Sequence, residues 1–322
     1  MNRLFWISLI FISFSSAILY SEAVFDFLNI TTDARDNGLG GYNYTMDWNG
    51  RGLNPARYAI ADDHSLYAGF RSYLVDTNIG NLGGVYKLDD KTGIGGGIQF
   101  IAYGSMKKTT IDNPTGEGLG EFSALDMVFN ASISREIAPR LQAGFSVKPV
   151  LSRIEESKSS GMVFDLGLNY SKEKDGIQFG LVLKNFGWQI SKYTDETDEE
   201  STETRLPVNI GLGASQFLLN RFSVAGNYTY EVESKTKFFS AGVEVLPYGD
   251  LLALRLGYNS KGTDYDTGQD SDFLGGFSTG LGLFYRKINL DYGLSFYGGL
   301  GQTHSISIGY TLSGNKGSKL KQ

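Results

Sequence analysis

Between residues 64 and 312 apolar residues alternate with small or polar ones, over and over, with a period of two. Near the C-terminus Ile288, Leu290, Tyr292, Leu294 and Phe296 alternate with Asn289, Asp291, Gly293, Ser295 and Tyr297. Ile306, Ile308, Tyr310 and Leu312 then alternate with Ser305, Ser307, Gly309 and Thr311. Successive side chains of a strand point to opposite faces, so each run has one apolar face and one small or polar face. Fourteen such runs are expected at about 65–74, 80–88, 93–103, 122–133, 140–150, 161–171, 176–186, 207–217, 221–231, 236–246, 251–259, 275–285, 287–297 and 303–312. Most hold nine to twelve residues. A tilted strand needs about 9–11 residues to cross a membrane, and strands of soluble domains average about 5–6. The pattern predicts an all-β, transmembrane antiparallel β-barrel of about 14 strands.

The links between runs support that reading. Those after even-numbered strands are short, for example 89–92, 218–220 and residue 286. All the long ones follow odd-numbered strands: 104–121, 151–160, 187–206 and 260–274. Bacterial outer-membrane barrels have short periplasmic turns and longer outer loops, and an even strand count returns both termini to the periplasm.

Seven charges fall mid-strand in the polar phase: Asp126, Lys148, Asp165, Lys184, Glu244, Arg255 and Asp291. On the lipid side a cation near the midplane would cost about 2–4 kcal/mol, so all seven are expected to face the lumen.

Residues 24–63 lack sustained alternation and carry Ala34, Arg35, Gly40, Gly41 and the tripeptide Asn54, Pro55, Ala56. Asn before Pro is a helix start, the Asn as N-cap and the Pro as first helical residue. This segment is expected to form a plug packed in or under the barrel, which spans 64–312. Arg3, the apolar run from Leu4 to Phe14 and the small residues Ser21 and Ala23 predict a signal peptide over 1–23, cleaved after Ala23. The tail 313–322, with Lys316, Lys319 and Lys321, is expected to be a basic periplasmic extension.

Composition narrows the chemistry. The chain of 322 residues has 42 Gly, 19 Tyr and 21 Phe but only 6 Pro and no Cys. Long strands with small residues on a crowded inner wall account for this balance. Without Cys there is neither a disulfide framework nor a thiolate metal site. A net charge of −6 offers no basic face to nucleic acid. Only His64 and His304 exist, far apart in sequence, and neither a metal-binding His-Glu-x-x-His helix nor a Gly-x-Ser-x-Gly nucleophile turn occurs. No enzyme activity and no cofactor are expected. Asp195, Glu196, Asp198, Glu199, Glu200 and Glu203 form an acidic stretch with suitable oxygens for a cation. It lacks the glycine turn and spacing of a calcium loop, so a solvated outer loop is the expectation.

In order along the chain, several short motifs resemble one family. They are Phe27-Leu28-Asn29-Ile30, Asp33-Ala34-Arg35, Gly40-Gly41 and Asn54-Pro55-Ala56. Ala102-Tyr103-Gly104, Gly120-Glu121-Phe122-Ser123-Ala124 and Leu183-Lys184-Asn185-Phe186-Gly187 follow. Leu254-Arg255-Leu256-Gly257-Tyr258, Gly280-Leu281-Gly282-Leu283 and Leu290-Asp291-Tyr292-Gly293 complete the series. The chain resembles the PorV/PorQ outer-membrane proteins, closer to PorQ, within the FadL-like superfamily. The resemblance implies a fourteen-stranded barrel with an N-terminal plug, acting without catalysis in type IX secretion or surface attachment of cargo proteins. The alternative from the same superfamily is a transporter or channel for small hydrophobic compounds. Expected partners are therefore outer-membrane lipid, secretion-system subunits or cargo, or a small hydrophobic ligand.

Overall fold

The computed structural model describes residues 23–46, 52–61, 64–171, 176–193, 205–219, 221–248, 251–264 and 267–312. Fourteen long strands close into one barrel. They are β1 (Ser65–Ser72), β2 (Asn78–Asp89), β3 (Thr92–Ala102), β4 (Ala124–Ala138) and β5 (Leu141–Ile154). Next come β6 (Ser157–Ser171), β7 (Gln178–Ser191), β8 (Asn209–Leu218), β9 (Phe222–Glu231) and β10 (Lys237–Val245). The last four are β11 (Leu252–Asn259), β12 (Phe277–Tyr285), β13 (Ile288–Phe296) and β14 (Gln302–Thr311). Each strand pairs antiparallel with its neighbours in sequence, and β1 closes on β14 from Ser65↔Thr311 to Ser72↔His304. A short ladder of Met106–Lys107 with Glu121–Phe122 stands apart from the wall, in the link between β3 and β4.

The period of two becomes two surfaces. In β14, Thr303, Ser305 and Ser307 are buried inward while Ile306, Ile308 and Tyr310 are exposed on the outside. The same holds in β10, with Phe238, Ser240 and Glu244 inside and Phe239 and Val243 outside. A closed wall leaves no strand edge, so every ladder group is paired within the sheet while the outer face meets hydrocarbon. The closed wall with its apolar outer face is the architecture of a transmembrane barrel.

The wall is uneven in height. β4 to β7 hold 15, 14, 15 and 14 residues, whereas β10 to β13 hold 9, 8, 9 and 9. At about 3.3 Å per residue the longer strands extend roughly 50 Å and the shorter ones roughly 30 Å. This corrects one expected loop: residues 151–160 are not an open link but the tops of β5 and β6, joined by a turn at Glu155 and Glu156. Residues 187–191, expected to begin a loop, likewise continue β7. The strands that precede the other long links, β3, β7 and β11, end on the same side as this turn.

Before β1 the chain runs inside the barrel. Its helical pieces among the described residues are a 3-10 turn at Asp26–Asn29, helix α1 (Ala34–Gly38) and a 3-10 helix at Pro55–Ile60. Asp33 caps α1 by accepting from the N–H groups of Arg35 (2.9 Å) and Asp36 (3.3 Å). Asn54 caps the Pro55 helix by accepting from Ala56 N–H at 3.0 Å. α1 packs on β11 to β14, and the Pro55 helix packs on β2 to β6, so the segment reaches both sides of the lumen. Inward-facing glycines make this approach possible: a Cβ at Gly144 or Gly257 would run into the backbone at Pro55 or at Leu39 and Gly40. Toward the long-loop end, Val24, Phe25 and Phe27 bury against Ile79, Ile101, Val128, Val150, Val163 and Leu206. Burying such a side chain is worth about 1.5–3 kcal/mol.

The lumen as candidate functional site

On the β10–β14 side the inward charges form one chain. Glu244 on β10 lies directly opposite Arg255 on β11, because that hairpin registers them as partners. Arg255 Nε donates to Glu244 Oε2 at 2.6 Å, and Arg255 Nη1 pairs with Asp291 Oδ1 on β13 at 2.8 Å. Asn289 Nδ2 donates to Asp291 Oδ2 at 2.6 Å. Arg35 of α1 completes the chain with a two-pronged contact, Nε to Oε2 at 3.0 Å and Nη2 to Oε1 at 2.7 Å of Glu244. Arg255 is 1 % exposed. Charges this deeply buried are tolerable only when each is matched, and the two-pronged arginine geometry supplies that match. Ala34 N–H also donates to Ser307 Oγ at 2.9 Å, so α1 is held to β14 as well.

Arg71 on β1 extends this anchoring toward the long-loop end. Its Nη1 donates to Thr31 O and Asn37 Oδ1, both at 2.8 Å, and its Nη2 to Tyr297 Oη at 2.8 Å and Thr303 Oγ1 at 3.0 Å. Sequence reasoning missed Arg71. Its phase within β1 (with Ser65, Tyr67 and Gly69) would have placed it inward. Arg57 was missed as well: it is buried, and its Nη1 donates to Asn169 Oδ1 at 3.1 Å and Gln178 Oε1 at 2.6 Å.

The β3–β8 side is built differently. Lys148 Nζ contacts Asp165 Oδ1 at 2.7 Å and Asn185 Oδ1 at 2.6 Å. Asp165 also accepts the backbone N–H of Asn185 at 2.8 Å, where the β6–β7 register shifts between Phe164 and Leu166. Asn185 takes a left-handed φ of 60° in this bulge, and its Nδ2 donates to Asn29 Oδ1 and Pro207 O, both at 3.2 Å. A side-chain carboxylate thus stands in for a lost ladder partner. Lys184 is the other residue of the bulge and is buried at 7 % exposure, with no hydrogen bond or ion pair to its Nζ among the described residues. Asp126 accepts from Tyr103 Oη at 2.7 Å and from Ser152 Oγ.

The seven mid-strand charges therefore separate into a chain of three that engages Arg35, a cluster of three around the bulge, and Asp126 apart from both. Gly40 and Gly41, both with positive φ, turn the chain after α1. Asn54, besides its capping role, donates to Leu168 O at 3.0 Å. The acidic stretch Asp195, Glu196, Asp198, Glu199, Glu200 and Glu203 lies outside the described residues. The two histidines do not meet: His64 stacks on Tyr86 with ring centroids 4.1 Å apart, and His304 Nδ1 lies 2.7 Å from Tyr292 Oη.

Two cavities remain beside the N-terminal segment. One of about 160 Å³ lies against β2–β7, between Leu28, Ile30 and Leu53 on one side and Lys148, Asp165 and Lys184 on the other. The other, about 320 Å³, lies toward the long-loop end, lined by Asp26, Arg71, Tyr73, Lys261, Phe277 and Tyr297. Burial raises the Asp26 carboxyl above its ordinary value, against the opposing pull of Lys261. Asp272 ties together the two loops next to this second cavity. It accepts backbone N–H groups from Gly299 at 2.7 Å and from Thr267 and Gln269 at 2.9 Å. These bonds, the one from Gly299 first, hold its carboxyl well below the usual range.

No protein-family model matches the chain, and no curated protein matches it in sequence. Solved structures do match over nearly their whole lengths. The toluene transporter TodX of Pseudomonas putida superimposes with a TM-score of 0.56 at 13 % identity, covering 86 % of this chain and 96 % of that one. The toluene transporter TbuX of Ralstonia pickettii gives 0.58 at 14 % identity, covering 90 % and 100 %. A FadL homologue of Pseudomonas aeruginosa gives 0.55 at 12 % identity, covering 88 % and 98 %. At these identities the likeness is one of fold, and the fold is the FadL-like barrel. The proteins that share it here are transporters and channels rather than enzymes.

Proposed function

We propose that this barrel is an outer-membrane channel for small, largely apolar molecules. The observation that carries the reading is the pair of cavities beside the N-terminal segment, in a barrel otherwise filled by that segment. The toluene transporters of the same fold supply the ligand class. In this reading residues 1–23 are a signal peptide, and the segment after them is a plug that narrows a wide lumen without sealing it. The long loops face outward and both termini face the periplasm. The test is uptake of a labelled monoaromatic compound by proteoliposomes holding the folded barrel. Uptake above protein-free vesicles, saturable by unlabelled compound, supports the channel; rates equal to empty vesicles contradict it.

Secretion or cargo attachment, implied by the likeness to PorV/PorQ proteins, has one feature in its favour. An acidic loop over 195–203 would steer a basic protein surface by long-range attraction. Co-isolation of secretion subunits or cargo from native membranes, weakened by salt and by replacing that loop with a Gly-Ser turn, would favour this second reading.

A further inference from the structure

Burying an ammonium without a counter-charge is costly, and proteins pair such groups or place them where a ligand will pair them. Lys184 stands out in this lumen. It is more than nine-tenths buried and lines the smaller cavity, and among the described residues no hydrogen bond or ion pair reaches its Nζ; Asp165 and Asp36 attract it only from longer range. The acids around that cavity are already engaged. Asp165 is bound by Lys148 and by Asn185 N–H. Asp33 caps α1, and Asp33 and Asp36 both have further partners of their own. Lys184 is thus the one cation of the cluster with its donors unspent.

The cavity also has apolar lining, from Leu28, Ile30, Leu53 and Val128 with the rings of Tyr58 and Tyr67, alongside the polar Asn81, Gln99 and Asn130. Its volume of about 160 Å³ suits one aromatic ring, since an apolar cavity of roughly 150 Å³ accepts benzene. The lining thus offers a hydrocarbon ring apolar contacts and an anion an ammonium with unspent donors.

We propose that this cavity binds a small aromatic carboxylate of benzoate size, the ring among the apolar side chains and the carboxylate accepting from Lys184 Nζ. The assignment rests on the channel reading and narrows it: the ligand is an aromatic acid rather than an aromatic hydrocarbon. An uncharged ring of the same size would leave Lys184 unpaired, so the site discriminates by charge. Discrimination of this kind exceeds what shape alone provides, because the wrong ligand strands a buried polar group.

The test measures binding to the full-length folded barrel in detergent by calorimetry, with benzoate, toluene and hexanoate as probes. Benzoate is expected to bind more tightly than toluene by about tenfold or more, the scale of a charge-assisted hydrogen bond. Lys184→Met should weaken benzoate and strengthen toluene, which no longer strands a buried ammonium, and so abolish that preference; Lys184→Arg should keep it. Equal affinity of benzoate for the native protein and for Lys184→Met overturns the proposal. So does hexanoate binding as tightly as benzoate, which would make the occupant an acyl carboxylate. Loss of both ligands in a Lys184→Met barrel that keeps its heat-resistant folded form also overturns it, because the lysine would then be shaping the cavity rather than selecting charge. Vesicle uptake of toluene is scored separately, so the channel can fail while the binding site stands, and the reverse.

Discussion

The two sides of the lumen solve the same problem in opposite ways. On the β10–β14 side, Arg35, Glu244, Arg255 and Asp291 form one matched chain that binds α1 to the wall. On the β3–β8 side the wall is taller, its ladder is broken by a bulge, and a buried lysine faces open space. The first side is built for attachment, with every charge engaged. The second packs the Pro55 helix closely against the wall and still leaves a cavity beside Lys184. A segment whose α1 stays tied to one wall needs no expulsion to admit a small molecule at that cavity.

The sharpest way to break this contrast is to cut the suture. Glu244→Ala leaves Arg35 and Arg255 buried without their shared counter-charge, a loss of about 3–5 kcal/mol. The expected outcome is a barrel that still inserts but whose N-terminal segment becomes open to protease. Protection equal to the native protein would mean that packing alone holds α1. Next in size is the lipid face. Leu281 is 48 % exposed in the middle of β12, and Leu281→Arg should cost about 2–4 kcal/mol if that position lies near the bilayer midplane. Refolding titrations into lipid vesicles measure it, and an unchanged midpoint would put β12 at the membrane edge.

How much of this contrast could be read beforehand depended on the physics of each part. Alternation located the strands because lipid on one side and a crowded lumen on the other impose opposite demands on neighbouring residues. The same rule placed Glu244, Arg255 and Asp291 in the inward phase. It could not say that Glu244 meets Arg255, since pairing depends on hairpin register, nor that Arg35 joins them across the lumen. Residues 151–160 read as a loop because Ser152, Arg153, Glu155, Glu156 and Lys158 are polar. Toward its rim a wall no longer needs an apolar outer face, so composition stops marking the strand there. The bulge did leave a trace: Lys184 and Asn185 are consecutive polar residues in a strand that otherwise alternates.

Smaller effects sharpen the other side. Asn54→Ala removes the cap of the Pro55 helix and its bond to Leu168, and should cost about 1 kcal/mol locally. Hydrogen exchange should quicken at Ala56 and Arg57 while the barrel ladder stays protected; exchange rising through β5 and β6 would make the helix part of the wall. The smallest effect concerns Asp272→Asn, which weakens the acceptor joining the 267–269 and 298–300 loops. The Asp272 carboxyl is held below its ordinary value, so its contribution is present above the unfolded pKa of about 3.9 and fades as pH falls toward the depressed folded value. Exchange at Gly299 should accelerate in the variant at neutral pH, and in the native protein only on strong acidification. Acceleration already at pH 5 in the native protein would contradict the depressed carboxyl.

The central claim is that small molecules pass while α1 stays attached to the β10–β14 side. The chain contains no cysteine, so a disulfide can be placed without competition. Ala34→Cys with Ser307→Cys would join α1 to β14 where the native residues already share a hydrogen bond of 2.9 Å. Monoaromatic uptake by proteoliposomes is then compared in oxidised and reduced protein. The account predicts the same rate in both states. Uptake that stops on oxidation and returns on reduction would show that α1 must leave the wall, and would contradict it.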